Sequence, residues 1–297
     1  MAEKLKYIDP LTLLKLGNLH LRARYVVEGL ISGLHRSPFK GSSLEFSQHR
    51  EYAPFDDLRY LDWKIFGRTD RFFIKQYEEE TNLRAYILLD SSSSMSFKSE
   101  KNIDKLTYSV NLAASLTYLL LCQDDSVGLA VFDKKINSFI PPRANFEQFS
   151  TIANILENLK PGLDTEIHQS INEFSRYLKK RGLIIFISDL FDSPEKVMFS
   201  IKQLRFKHHD VIVFHVLDPC ELNLIYNGPV IFESIENKQD SVYTEVQDIK
   251  EHYSSLIKSF IQEYKIGFQN SGIDYSLITT DTPIELGLGT FLASRKK

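Results

Sequence analysis

The chain has 297 residues, 43% of them apolar and 25% charged, with a formal net charge of −3. That length fits one large domain or two small ones, and the composition is that of an ordinary globular protein. The near-neutral charge argues against a strong field for nucleic acid or an anionic membrane. The two cysteines, Cys122 and Cys220, each border an apolar run and read as buried thiols rather than a disulfide or a zinc site. This usage suits a reducing compartment. The opening MAEKLKYIDP lacks an apolar stretch suited to a signal peptide, and runs such as LTYLLLC fall short of the roughly 20 residues that span a bilayer. The expectation is a cytoplasmic protein without membrane insertion.

In chain order, Pro10 to about Ser32 spaces its leucines and valines as one or two helices would. Residues 33–82 differ: aromatic, arginine and aspartate residues crowd together, with turn signals at Ser37-Pro38, Gly41 and Pro54. The alternation in RFFIKQYEEE predicts strands with one wet face. From Leu83 onward strands and helices alternate. LRAYILLD ends at Asp90, and a helix follows over about 103–122. SVGLAVFD and INSFIPP form a hairpin around a DKK turn. NFEQFSTIANILENL and EIHQSINEFSRYLKK are helical, GLIIFISDL is a strand, and 193–205 is a helix. DVIVFHVLD is the next strand. A polar-looped hairpin over about 228–246, a long helix over 247–270, the strand DYSLITTD and a short helix complete the chain.

YILLD and LIIFISD are apolar on both faces, as central parallel strands are when helices cover both sides of a sheet. The expected fold class is therefore α/β, doubly wound and Rossmann-like, with a mostly parallel sheet and an antiparallel hairpin insertion. Ligands of such sheets bind beyond the carboxyl ends of the strands. Asp90 and Asp189 both stand at such ends.

DSSSS, residues 90–94, can be a simple capping turn. It can also be a site, because ISDL supplies Asp189 and PGLDTEI supplies Thr165 in a loop before a helix. Carboxylate and hydroxyl oxygens suit a hard cation such as magnesium, which takes few carboxylates and keeps waters. In an extended loop alternate side chains point the same way. Asp90, Ser92 and Ser94 would then face one ion, and Ser91 and Ser93 would face elsewhere.

DSSSSM, followed downstream by LDT and ISDL, resembles the metal-ion-dependent adhesion site (MIDAS) of von Willebrand factor A (vWA) domains. By that resemblance Asp90, Ser92 and Ser94, Thr165 and Asp189 are metal residues. The metal would be Mg2+, with Mn2+ or Ca2+ as substitutes. An open coordination position would take a carboxylate from a protein partner. Residues 37–82 are similar to the hallmark region of the bacterial domain-of-unknown-function 58 (DUF58) proteins. The matching residues are Gly41, Glu45-Phe46, Arg50, Tyr52, Asp56-Asp57, Arg59, Asp62-Trp63 and Arg68-Thr69. Phe55 departs from the glycine that many relatives have before the Asp-Asp pair. The resemblance implies an N-terminal helix and β-rich segment, 1–82, packed on a vWA-like domain, 83–297. It also implies action with a MoxR-type AAA+ ATPase in assembling or maturing other proteins.

Other clusters read as structural. Arg50, Asp56, Asp57, Arg59 and Asp62 suggest an ion-pair network with Trp63 packed beneath. Glu78, Glu79 and Glu80 suggest a solvated strand end. His208 and His209 suggest a surface turn, and His215 a satisfied core histidine. No G-x-x-x-x-G-K-[ST] or G-x-G-x-x-G phosphate cradle is present, and DSSSS is not a G-x-S-x-G elbow. The expectation is a binding module with no catalytic residue. The alternative is a magnesium-dependent phosphohydrolase or nuclease using the same aspartates, with Asp218 as the extra carboxylate. A third reading is a scaffold that carries the motif without metal.

Overall fold

The computed structural model describes residues 7–34, 46–51, 62–77, 83–162, 166–226, 228–233 and 241–294. Two compact units emerge, one made of residues 1–36 with 83–297 and the other of residues 37–82.

The larger unit begins with α1 (Pro10–Leu13) and α2 (Leu19–Leu34). These two helices therefore group with the α/β body and not with the segment that follows them, unlike the division at residue 82 expected from sequence. The reason is packing: Leu19, Ala23, Val26 and Val27 of α2 are buried in the same cluster as Leu112, Leu116 and Leu120 of the central helix.

The smaller unit pairs β1 (Phe46–Glu51) antiparallel with β2 (Phe73–Tyr77). Between them lies α3 (Trp63–Thr69), a helix that the strand-like alternation did not reveal. Its start is chemical: the Asp62 carboxylate accepts from the backbone N–H of Lys64 and Ile65. Trp63 is 66% exposed, against the expected buried packing, and meets Phe66 edge-on on the same helix. Arg50, Asp56, Asp57, Arg59 and Glu78–Glu80 lie outside the residues whose side chains are described.

The main sheet contains β3 (Arg84–Asp90), β4 (Ser126–Phe132), β5 (Ile136–Arg143), β6 (Leu183–Ser188), β7 (Asp210–Leu217) and β10 (Asp274–Thr279). Their order is β10-β7-β6-β3-β4-β5. All neighbours are parallel except the β4–β5 hairpin at one edge. A separate antiparallel pair joins β8 (Pro229–Glu233) to β9 (Ser241–Glu245).

The connecting helices are α4 (Lys105–Leu121), α5 (Glu147–Glu157), α6 (Ile167–Phe174), α7 (Pro194–Phe206), α8 (Pro219–Asn223), α9 (Val246–Gln269) and α10 (Ile284–Ser294). α6 stops at Phe174, short of the helix expected to Lys180. α8 was not foreseen, and its Asp218–Glu221 capping box explains why five residues suffice.

Alternation along the strands sorts the core into two layers. Ala85, Ile87 and Leu89 of β3 face α2, α4, α5 and α10, whereas Tyr86 and Leu88 face α6, α7 and α9. Both faces are covered, as the doubly wound reading requires. From β3 the chain steps one way to β4 and later returns on the other side as β6. The β3/β6 boundary is thus the topological switch point, where the crevice of such sheets opens.

Cys220 is buried, but Cys122 is exposed, because it caps the end of α4 past its last buried turn. His208 lies in an exposed turn with φ 64°, whereas His209 beside it is buried.

Candidate functional site

β3 and β6 deliver Asp90 and Ser188-Asp189 to the same edge of the sheet. All three are completely buried. β3 ends at Asp90, and the chain turns through a 3-10 turn at Ser93–Ser96. The serine loop is therefore not extended, as expected, but it sorts its side chains in the same way. Ser92 Oγ and Ser94 Oγ stand 3.1 Å apart. Ser91 points to β4, donating both its N–H and its hydroxyl to the Phe132 carbonyl. Ser93 Oγ is buried and has no hydrogen-bond partner.

Asp90 accepts from the Ser92 N–H at 2.9 Å and from the Ser188 hydroxyl at 2.6 Å. These bonds do not offset its setting. Burial, joined by the nearby Asp189 charge, pushes its carboxyl up to about 7. Ser188 is a part of the site that sequence inspection missed. Its hydroxyl also accepts from the Leu190 N–H.

Asp189 is set by a strained turn. Leu190 adopts φ 56°, a left-handed conformation rarely taken by leucine. Its carbonyl is held by the Tyr264 hydroxyl of α9 at 3.0 Å. Asp189 Oδ1 accepts from the Phe191 N–H at 3.3 Å, and Oδ2 accepts from the Lys105 ammonium at 2.8 Å. Lys105 is itself fully buried and also reaches Glu221 at 2.6 Å. Burial would lower its pKa, but Asp189 and Glu221 outweigh that and raise it. Lys105 and Glu221 were likewise not expected from sequence. One signal existed: Lys105 is the only charged residue in α4.

Thr165 lies outside the described residues. Both ends of its loop are anchored beside the site, however. The Gly162 N–H donates to the Ser91 carbonyl at 2.6 Å, and the Ile167 N–H donates to Asp192 at 3.1 Å. A Cβ at position 162 would come within 2.3 Å of the Asp133 carboxylate, so a larger residue there would require the Asp133 side chain to move aside.

The donor set can be tested against a hard divalent cation. Asp90, Ser92 and Ser94 offer only oxygen, as magnesium prefers. At metal–oxygen distances of about 2.1 Å, adjacent octahedral ligands lie about 3 Å apart. The two serine hydroxyls match that spacing, and the elevated Asp90 carboxyl marks negative charge that burial leaves poorly compensated. The residues fit. Among the described residues no group of three or more His, Cys, Asp or Glu side chains forms a metal cluster, so hydroxyls would have to share the ligation.

The family model for the "protein of unknown function DUF58" matches residues 48–260, well over half of the chain. This chain belongs to the DUF58 family. An uncharacterized protein of Mycobacterium tuberculosis and one of Mycobacterium bovis are each 22% identical over 292 residues, covering 97% of this chain and 91% of theirs. Among solved structures, the conserved hypothetical protein BatB from Bacteroides thetaiotaomicron is similar over 72% of this chain and 100% of its own, at 18% identity and a TM-score of 0.49. The VWA domain of SpRpn10 is similar over 70% of this chain and 94% of its own, at 10% identity and a TM-score of 0.43. Among the described residues of this DUF58 protein, no helix is long and apolar enough to cross a membrane.

Proposed function

We propose that this DUF58 protein is a non-enzymatic, vWA-type protein-interaction module whose site at the β3/β6 edge binds a divalent cation. The observation that carries the reading is the pairing of Ser92 and Ser94 hydroxyls 3.1 Å apart beside the buried Asp90 carboxylate. Mg2+ is the expected ion, with Mn2+ or Ca2+ as substitutes. Asp90, Ser92, Ser94 and Thr165 would hold it, with Asp189 behind them. The bound ion would supply an electrophilic position for a carboxylate of a partner protein. A MoxR-type AAA+ ATPase, or a client it assembles, is the partner that the family resemblance suggests.

The hydrolase alternative gains no support from the geometry. Asp218, the extra carboxylate that such chemistry would recruit, caps α8 through Cys220 N–H and accepts from Ser99 and Thr280.

The test is a pull-down from native lysate, with and without chelator, comparing wild type with Asp90→Ala. An AAA+ ATPase recovered only by metal-loaded wild type supports the proposal. Equal recovery by a folded Asp90→Ala protein overturns it. Magnesium-dependent turnover of generic phosphate esters, lost in Asp90→Ala, would revive the enzymatic alternative.

A further inference from the structure

The least ordinary feature of the site is a cation already inside it. The Lys105 ammonium has no solvent exposure and bridges Asp189 Oδ2 at 2.8 Å and Glu221 Oε1 at 2.6 Å. Aromatic rings close the remaining sides: the Phe191 ring centre is 4.9 Å from the ammonium, and that of Phe97 is 5.8 Å away. These rings follow directly on the two loops of the site, Phe97 after the serines and Phe191 after Asp189. Lys105 starts α4 behind the Asp104 N-cap, whose carboxylate accepts from Thr107 N–H and fixes where the helix begins.

Glu221 is no loose partner. Its second carboxylate oxygen accepts from the Asp218 N–H at 2.8 Å, and its backbone carbonyl accepts from the Tyr253 hydroxyl of α9 at 2.7 Å. The ammonium therefore ties Asp189 to a rigid capping box. A buried lysine with two carboxylates is costly to assemble and is retained only when the geometry satisfies it.

We propose that Lys105 is the resident counter-ion of the site, a positioning residue that holds Asp189 and keeps divalent-cation affinity low. The inference rests on the metal reading above. Asp189 cannot give the same oxygen fully to both cations, and two positive charges in one buried cluster repel. With Oδ2 held by the ammonium, an entering metal is left with Oδ1, which accepts the long Phe191 N–H bond, and must share the carboxylate's charge with Lys105. Retention of the metal then depends on added negative charge, which a partner carboxylate supplies.

The experiment compares wild type, Lys105→Met and Asp90→Ala, titrating Mg2+ and Mn2+ by calorimetry and following thermal unfolding with and without metal. Lys105→Met should bind the metal about tenfold or more tightly, the scale of removing a neighbouring unit charge from a partly buried site. Its melting temperature without metal should fall below wild type, and millimolar Mg2+ should raise it further than it raises wild type. The double variant Lys105→Met/Glu221→Gln removes one charge of each sign and guards against misfolding. It should also bind metal more tightly, because Asp189 is released.

If wild type binds metal and Asp90→Ala does not, yet neither lysine variant binds more tightly, Lys105 is only structural and this inference fails alone. If none of the folded proteins binds metal, the metal reading fails and takes this one with it.

Discussion

Two strands in this protein, β3 and β7, lead into a fully buried aspartate at the same kind of end, and the two aspartates behave oppositely. At the end of β7, Asp218 is fully spent. It accepts from Cys220 N–H, from both the N–H and hydroxyl of Ser99, and from the Thr280 hydroxyl. At the end of β3, Asp90 is equally buried and has fewer donors, the Ser92 N–H and side chain and the Ser188 hydroxyl, and its carboxyl rises to about 7. A buried carboxylate with its acceptor sites filled is a structural brace, whereas one left short of donors is poised for a cation. The count of donors, rather than the position on the sheet, separates the two.

The sharpest way to break this contrast is to delete each carboxylate. Asp218→Ala should cost about 2–4 kcal/mol in denaturant unfolding, combining a lost helix cap with stranded donors. The folded fraction should keep its metal affinity. Asp90→Ala should instead lose divalent binding in calorimetry, while costing less stability in chelator than Asp218→Ala because fewer donors are stranded. Equal destabilisation by the two variants would erase the distinction.

The pH dependence sharpens it next, with chelator present. Asp90 rises from 3.8 to about 7 on folding, so the stability it contributes is full below pH 3.8 and is lost as pH rises through 7. His215, buried beside Tyr275, is pushed from 6.5 down to about 4, chiefly by burial. Its contribution is present above pH 6.5 and is lost as pH falls through 4. Across the shared window the two oppose each other. Relative to wild type, Asp90→Asn should lose roughly 3 kcal/mol of stability on acidification from pH 6.5 to 4. His215→Gln should shift in the opposite sense. Urea unfolding at intervals of pH reads both; parallel profiles for the three proteins would refute the assignment.

The smallest effects test the serines. Ser92→Ala or Ser94→Ala should weaken metal binding, and Ser93→Ala should leave it unchanged. Ser91→Ala should cost about 1 kcal/mol in stability by removing the hydroxyl bond to Phe132, with no change in metal affinity. Equal loss of affinity in Ser93→Ala and Ser94→Ala would show that the wrong hydroxyls were paired.

Much of the architecture was legible beforehand because it is written in local patterns. The fully apolar β3 and β6, the β4–β5 hairpin and the long α9 follow from periodicity and turn residues. The short elements escaped. α3 and α8 depend on single capping aspartates, Asp62 and Asp218, more than on any repeat. The serine loop illustrates the limit on the site. The pairing of Ser92 with Ser94 rests on an extended loop, yet a 3-10 turn brings them together.

Sequence alone determined that an aspartate and a run of serines would end a buried strand, and that a second aspartate would end another. Both facts are carried by a few adjacent residues. Only the tertiary structure decided which carboxylate is closed and which is open, and which side chain meets Asp189. Lys105 lies 84 residues from Asp189 and 116 from Glu221. No periodicity spans that separation, because the pairing is made by the packing of α4 under the switch point and by the chain's return through β6 and α8.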